Sequence, residues 1–190
     1  MKAKTTDRRI QRTRQLLLDA LRALILEKGY EAMTVQDVID HANVGRSTFY
    51  VHFQDKEDLL LSGVETLWAE LETHLRNVVP EAETVWNLSL SMFEHAESQR
   101  LLYKALIGSQ GGNIALKHIQ KQLYMVILDH LRLALSKKNG NIPAEIVAHH
   151  LVSSFIALLT WWLDNDSNYS ANQVNEFYQQ LVLRGIETLL

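Results

Sequence analysis

Between Val44 and Leu59 the chain reads VGRSTFYVHFQDKEDL, a run that sets a guanidinium, two hydroxyls, a phenol and an imidazole around two phenylalanines. All of these polar groups can donate hydrogen bonds. On a helix turning about 100° per residue, Phe49 and Phe53 share one side, while Ser47, Thr48 and Val51 occupy the opposite one. Tyr50 and His52 flank that outward face, and Arg46 projects from the start of the helix. Such an arrangement suits the recognition of acceptors, with base edges in front of the helix and phosphates beside it in a DNA major groove.

Other chemistry finds little support. Cysteine is absent, which removes disulfides, thiolate nucleophiles and cysteine-based metal sites. His149 and His150 are neighbours in sequence, so on a helix they diverge by about 100° and do not share an ion. His95, His118 and His130 have no carboxylate at a recognisable metal spacing, and HExxH does not occur. The segment GSQGGN fits neither phosphate-loop pattern and reads as a connection, and GxSxG is missing. No catalytic residue, metal ligand set or cofactor is expected.

A reading helix has to be pinned from behind by other helices. The 190 residues, 47% hydrophobic with two prolines and eight glycines, favour an all-α fold of about nine helices. Helix 1 is expected over about Thr6 to Lys28, with Gly29 at its C-cap. Thr34 caps a short helix 2, roughly Val35 to Ala42, with Asp37 three residues on. The turn HANVG leads to the reading helix at about Arg46, and Asp55 caps a longer helix that runs to about Val78. Further helices are expected at 83–97, 98–107, 114–136, 144–163 and 171–189, with GSQGGN, KKNGNIP and SNYSAN between them. No segment is expected to span a bilayer.

Charge is distributed unevenly. Residues 1–56 carry a net +3 and the rest −6, and Lys2, Lys4, Arg8, Arg9, Arg12 and Arg14 face only Asp7 within the first fourteen residues. A positive arm on an acidic body points to a polyanionic partner at one end.

The stretch TVQDVIDHANVGRSTFYVHFQDKEDLL, together with the glycine ending helix 1, resembles the N-terminal module of the TetR (tetracycline-repressor) family of bacterial transcription regulators. The detailed resemblance covers about Arg12 to Leu61; beyond it only the layout of a helical bundle matches. It implies a helix-turn-helix DNA-binding domain over 1–55 and a helical regulatory and dimerisation domain over 56–190. It further implies that Arg46, Ser47 and Thr48 contact bases and nearby phosphates. Tyr50 and His52 would contact phosphates, Lys56 would approach the DNA backbone, and Thr34 and Gln36 would lie in another contact region. Gly45 departs from the family pattern, since many members have a serine or similar cap there.

The same resemblance implies a homodimer joined through the last two long helices, a palindromic operator in double-stranded DNA, and a small-molecule effector. On helix 8, Val147, Leu151, Phe155 and Leu159 step by four, and with Phe177 and Leu181 of helix 9 they are the expected interface. Trp68, Trp86, Met92, Phe93, Tyr103, Tyr124 and Trp161 are the expected pocket residues. A cytoplasmic repressor without membrane contact is the favoured reading. Two alternatives stay open on sequence: an α-helical small-molecule-binding protein or enzyme, and a regulator controlled by a protein partner.

Overall fold

The computed structural model describes the backbone of residues 2–78, 84–135, 142–165 and 167–183, and the side chains of 8–70, 73, 88–132, 142–165 and 167–182. Among the described residues all regular structure is helical: α1 (Lys2–Ala32), α2 (Val35–Ala42), α3 (Arg46–His52), α4 (Lys56–Val78), α5 (Thr84–Ser98), α6 (Arg100–Leu106), α7 (Gln110–Leu135), α8 (Ala144–Asp164) and α9 (Ala171–Tyr178). A wider π-helical winding, Gln179–Leu183, continues α9, and the expected helix beyond it lies outside the described residues.

The first three helices close around one core. Leu17, Leu21, Leu24 and Ile25 of α1 are buried together with Val38 and Ile39 of α2, Phe49 of α3, and Phe53. α1 breaks at Gly29, whose φ of +79° lies in the region that favours glycine. Thr34 then starts α2 with a reciprocal capping box: its hydroxyl accepts from the Asp37 amide, and the Asp37 carboxylate accepts from the Thr34 amide at 2.7 Å. Lys28 pairs with that carboxylate at 2.8 Å, and hydrogen bonding by Lys28 and Thr34 holds Asp37 well below the usual carboxylate range. α2 ends at Asn43 in the left-handed conformation, and α3 follows two residues later. Gly45 offers α3 no side-chain cap.

Asp55 caps α4 by accepting from the amides of Glu57 and Asp58 at 2.9 and 2.8 Å. The helix serves both halves of the molecule, because Leu59 and Leu60 belong to the first core while Val64, Leu67 and Trp68 pack on a second. That second core joins α5, α7, α8 and α9 around Phe93, Phe155, Trp162 and Tyr178. Phe93 stacks against Phe155 at 4.8 Å and against Trp162 at 5.8 Å. Arg100 lies over Trp162 and donates to the carbonyls of Trp162 and Asn165 at 2.9 and 3.0 Å, closing the end of α8.

Three expectations need correction. GSQGGN is not a connection: α7 starts at Gln110 inside it, with the Ser109 hydroxyl accepting from the Gly112 amide at 2.9 Å. The glycine at 111 serves contact and not a turn, since a Cβ there would stand 2.5 Å from the Tyr30 ring. Beside it the Gln110 amide donates to the Glu31 carboxylate at 2.6 Å, tying the start of α7 to the end of α1. α8 is, by length and composition, apolar enough to cross a membrane, with a mean hydropathy of 1.6. Much of its apolar surface is instead taken up by the second core. For the same reason Val147, Leu151, Phe155 and Leu159 do not face a second subunit; each is 4% exposed or less, packed against this chain's own helices.

Candidate nucleic-acid interface and inter-domain cavity

α3 presents its polar face outward. Arg46, Ser47 and Tyr50 are exposed, Val51 is 79% exposed, and Thr48 and His52 are half-buried at the margins. Phe49 anchors the helix from behind, and its ring meets the edge of Tyr50 at 5.3 Å. The side chains in front are ordered by each other. The Arg46 guanidinium donates to Gln36 Oε1 at 3.1 Å and stands 5.7 Å from the Tyr50 ring, and Gln36 Nε2 donates to Asp40 Oδ1 at 2.8 Å. Asp40, Gln36, Arg46 and Tyr50 thus form a line across α2 and α3. An arginine held by a neutral amide and not by a carboxylate keeps most of its five donors for an incoming acceptor.

Two expected contacts have other employment. All three donors of Lys56 are directed inward, to the carbonyls of Tyr30 and Met33 at 2.9 Å and of Glu31 at 3.4 Å, and the ammonium lies 4.5 Å over the Tyr30 ring. An ammonium so placed has no hydrogen left for a phosphate, so Lys56 fastens α4 to the end of α1. The Thr34 hydroxyl donates to Asp37 Oδ2 at 2.7 Å within its capping box and is likewise occupied. Of the basic arm, Arg8, Arg9 and Arg12 are exposed. Arg14 has docked: it lies 4.6 Å over the Phe53 ring and donates to Ser62 Oγ at 2.6 Å.

A cavity of about 390 Å³ opens between α1 and helices α4, α6 and α7. Leu18, Leu21 and Ile25 of α1 line it opposite Leu67, Leu102, Leu106 and Ile119, and Arg22, Glu70, His95 and Gln99 stand around it. Of the expected pocket residues only Tyr103 lines this space, with its ring edge-on to His95 at 5.9 Å. Burial pushes the Tyr103 phenol up to about 12. Met92 borders a void of about 20 Å³, too small for a ligand, and Phe93 is filled in around completely. Tyr124 borders a shallow surface depression, Trp161 is half-exposed, Trp68 packs against the second core, and the Trp86 side chain lies outside the described residues. The contribution of α1 to a pocket left no local signal, because its leucines read equally well as core. Among the described residues no three His, Asp or Glu side chains gather in a way that could hold a metal ion.

A short helix with a polar outer face, seated on a capped partner helix across a tight turn, defines a helix-turn-helix DNA-binding protein. Residues 17–62 match the family model for bacterial regulatory proteins of the tetR family, and residues 83–184 match a transcriptional regulator C-terminal region. A solved TetR transcriptional regulator from Streptococcus agalactiae is 30% identical, covering 95% of this chain and 98% of its own, with a TM-score of 0.71. The transcriptional repressor KstR2 of Mycobacterium tuberculosis is 27% identical over 90% of each chain. The HTH-type regulator YxbF of Bacillus subtilis is 28% identical across the whole of this chain, which spans half of YxbF's length. The chain belongs to the TetR family and is a DNA-binding transcriptional regulator.

Proposed function

We propose that this protein is a cytoplasmic repressor that binds a palindromic operator in double-stranded DNA as a homodimer and releases it when a small molecule occupies the regulatory bundle. The observation that carries the reading is the exposed line of Gln36, Arg46 and Tyr50 beside Ser47 and Val51, a front with donors aimed outward and no partner of opposite charge. Arg46 and Ser47 read base edges; Tyr50 and His52 hold phosphates at the flanks.

The dimer forms through the outer faces of α8 and α9. Ile146, Trp161, Phe177 and Leu181 are 60, 48, 38 and 79% exposed on these two helices, an amount of apolar surface that a lone subunit leaves to water. Two-fold pairing there sets two reading heads about one DNA turn apart, roughly 34 Å, as a palindrome requires.

Selection of bound sites from random duplex DNA tests the reading. A palindromic consensus is expected, and Arg46→Ala relaxes preference at one position of each half-site by about 1–3 kcal/mol, while Tyr50→Phe weakens all sequences alike. Enrichment of no sequence would overturn it.

A further inference from the structure

We propose that the cavity between α1 and helices α4, α6 and α7 takes an uncharged amphiphile, an apolar body with a hydrogen-bonding head, and that its occupant acts as a wedge that moves the reading head. The inference rests on the regulator reading given above and names the place and chemistry of its effector.

Interiors are close-packed as a rule, so a space of about 390 Å³ between two cores stands out beside voids of about 20 and 30 Å³ elsewhere. Its size falls within the range of small-molecule sites, roughly 300–1,000 Å³. The walls are leucine and isoleucine from both sides, and they select an apolar body.

The head is selected by the polar groups around the space. They include one cation, Arg22, and one anion, Glu70, so the charges cancel. Burial, with Arg22 adding to it and Glu70 opposing, lowers the basicity of His95, which stands as a neutral imidazole with one donor and one acceptor. Gln99 adds an amide. An anionic head would meet Glu70 and a cationic head Arg22, whereas a hydroxyl or amide finds partners without a like charge. No cluster of cations is present for a phosphate.

One wall belongs to the reading head itself. Leu18, Leu21 and Ile25 line the cavity on the same helix that carries Leu17 and Leu24 into the core with Phe49. An occupant that needs more width than the gap offers displaces α1, and α2 and α3 travel with it as one packed unit. Operator DNA fixes the separation of the two heads, so ligand and DNA favour different settings of α1.

The test uses the full chain, its selected operator, and three probes with the same tail: n-octanol, octanoate and octylammonium. Calorimetry is expected to show octanol binding, with octanol lowering operator affinity about tenfold and operator lowering octanol affinity by the same factor. The charged probes bind more weakly. Val64→Phe, which places a ring in the cavity, abolishes octanol binding. Because that variant alters packing, two exposed positions provide a second arm. Glu70→Gln improves octanoate relative to octanol about threefold, and Arg22→Gln does the same for octylammonium. Absence of octanol binding by a protein that still binds its operator overturns the proposal and leaves the regulator reading in place. Octanol that binds with equal affinity with and without operator overturns the wedge. Failure to enrich any DNA site, with octanol still excluded by Val64→Phe, overturns the regulator reading and supports the ligand assignment.

Discussion

Replacing Lys56 with methionine keeps the length of the side chain and removes its charge, and two views of this residue then part company. In the folded protein the ammonium serves the carbonyls of Tyr30, Glu31 and Met33 and lies over the Tyr30 ring. A hydrogen bond involving a charged group contributes about 1.5–3 kcal/mol, and a cation at a helix C-terminus about 0.3–1 kcal/mol. Lys56 is only half-buried, so water takes over part of what the ammonium gives up, and the expected loss is about 2 kcal/mol, well below the sum. For a chain of this size that lowers Tm by roughly 4–8 °C. Thermal unfolding followed by circular dichroism reads this directly. The salt dependence of DNA affinity, measured by fluorescence anisotropy, should keep its slope, because Lys56 has no donor left for a phosphate. A lost phosphate contact would instead reduce the slope by about 0.9. An unchanged Tm with a reduced slope would refute the reasoning and return Lys56 to the DNA surface.

Gly111→Ala should destabilise the chain by about 1–3 kcal/mol despite alanine's better helix propensity, because the new methyl meets the Tyr30 ring; urea unfolding measures it. Leu181→Glu and Trp161→Glu should give folded monomers in analytical ultracentrifugation, since both residues are exposed, whereas Phe155→Glu should not fold at all. For Asp37→Asn the pH dependence has a definite sign. The folded pKa of Asp37 is depressed, so its stabilisation is fully present above the ordinary value of 3.8 and is lost as pH falls below it. The stability gap between wild type and variant is therefore widest at neutral pH and closes in acid; a gap that widened in acid would contradict the capping-box account.

The reading head was legible because its signals are local. Thr34 with Asp37, Asn43 before Val44, and Phe49 spaced four from Phe53 each fix backbone or packing within a few residues, and α2 and the start of α3 fall where those signals put them. What failed depended on distant partners. A glycine that makes room for a ring eighty residues away looks in sequence like one that makes a turn, so Gly111 was read as loop. The four-residue rhythm of Val147, Leu151, Phe155 and Leu159 establishes an apolar face without saying which neighbour covers it, and this chain's own core does. Lys56 sits in the position of a DNA contact, but the carbonyls that claim it come from α1 and the residue just beyond it.

The joint at the end of α1 sets a rule for building hybrid regulators. Tyr30, Glu31 and Lys56 lie on the reading-head side, while Gln110 and Gly111 lie far along the chain on the other. A head grafted onto a foreign bundle, or a foreign head onto this one, would arrive with only half of that joint. A bundle with any larger residue opposite Tyr30 would hold the head at an altered tilt, and one without a free amide near Glu31 would leave it loosely hinged. Chimeras that carry residues 110 and 111 along with the head should therefore keep switching, and those cut simply between α3 and α4 should bind DNA yet ignore the effector of their new bundle.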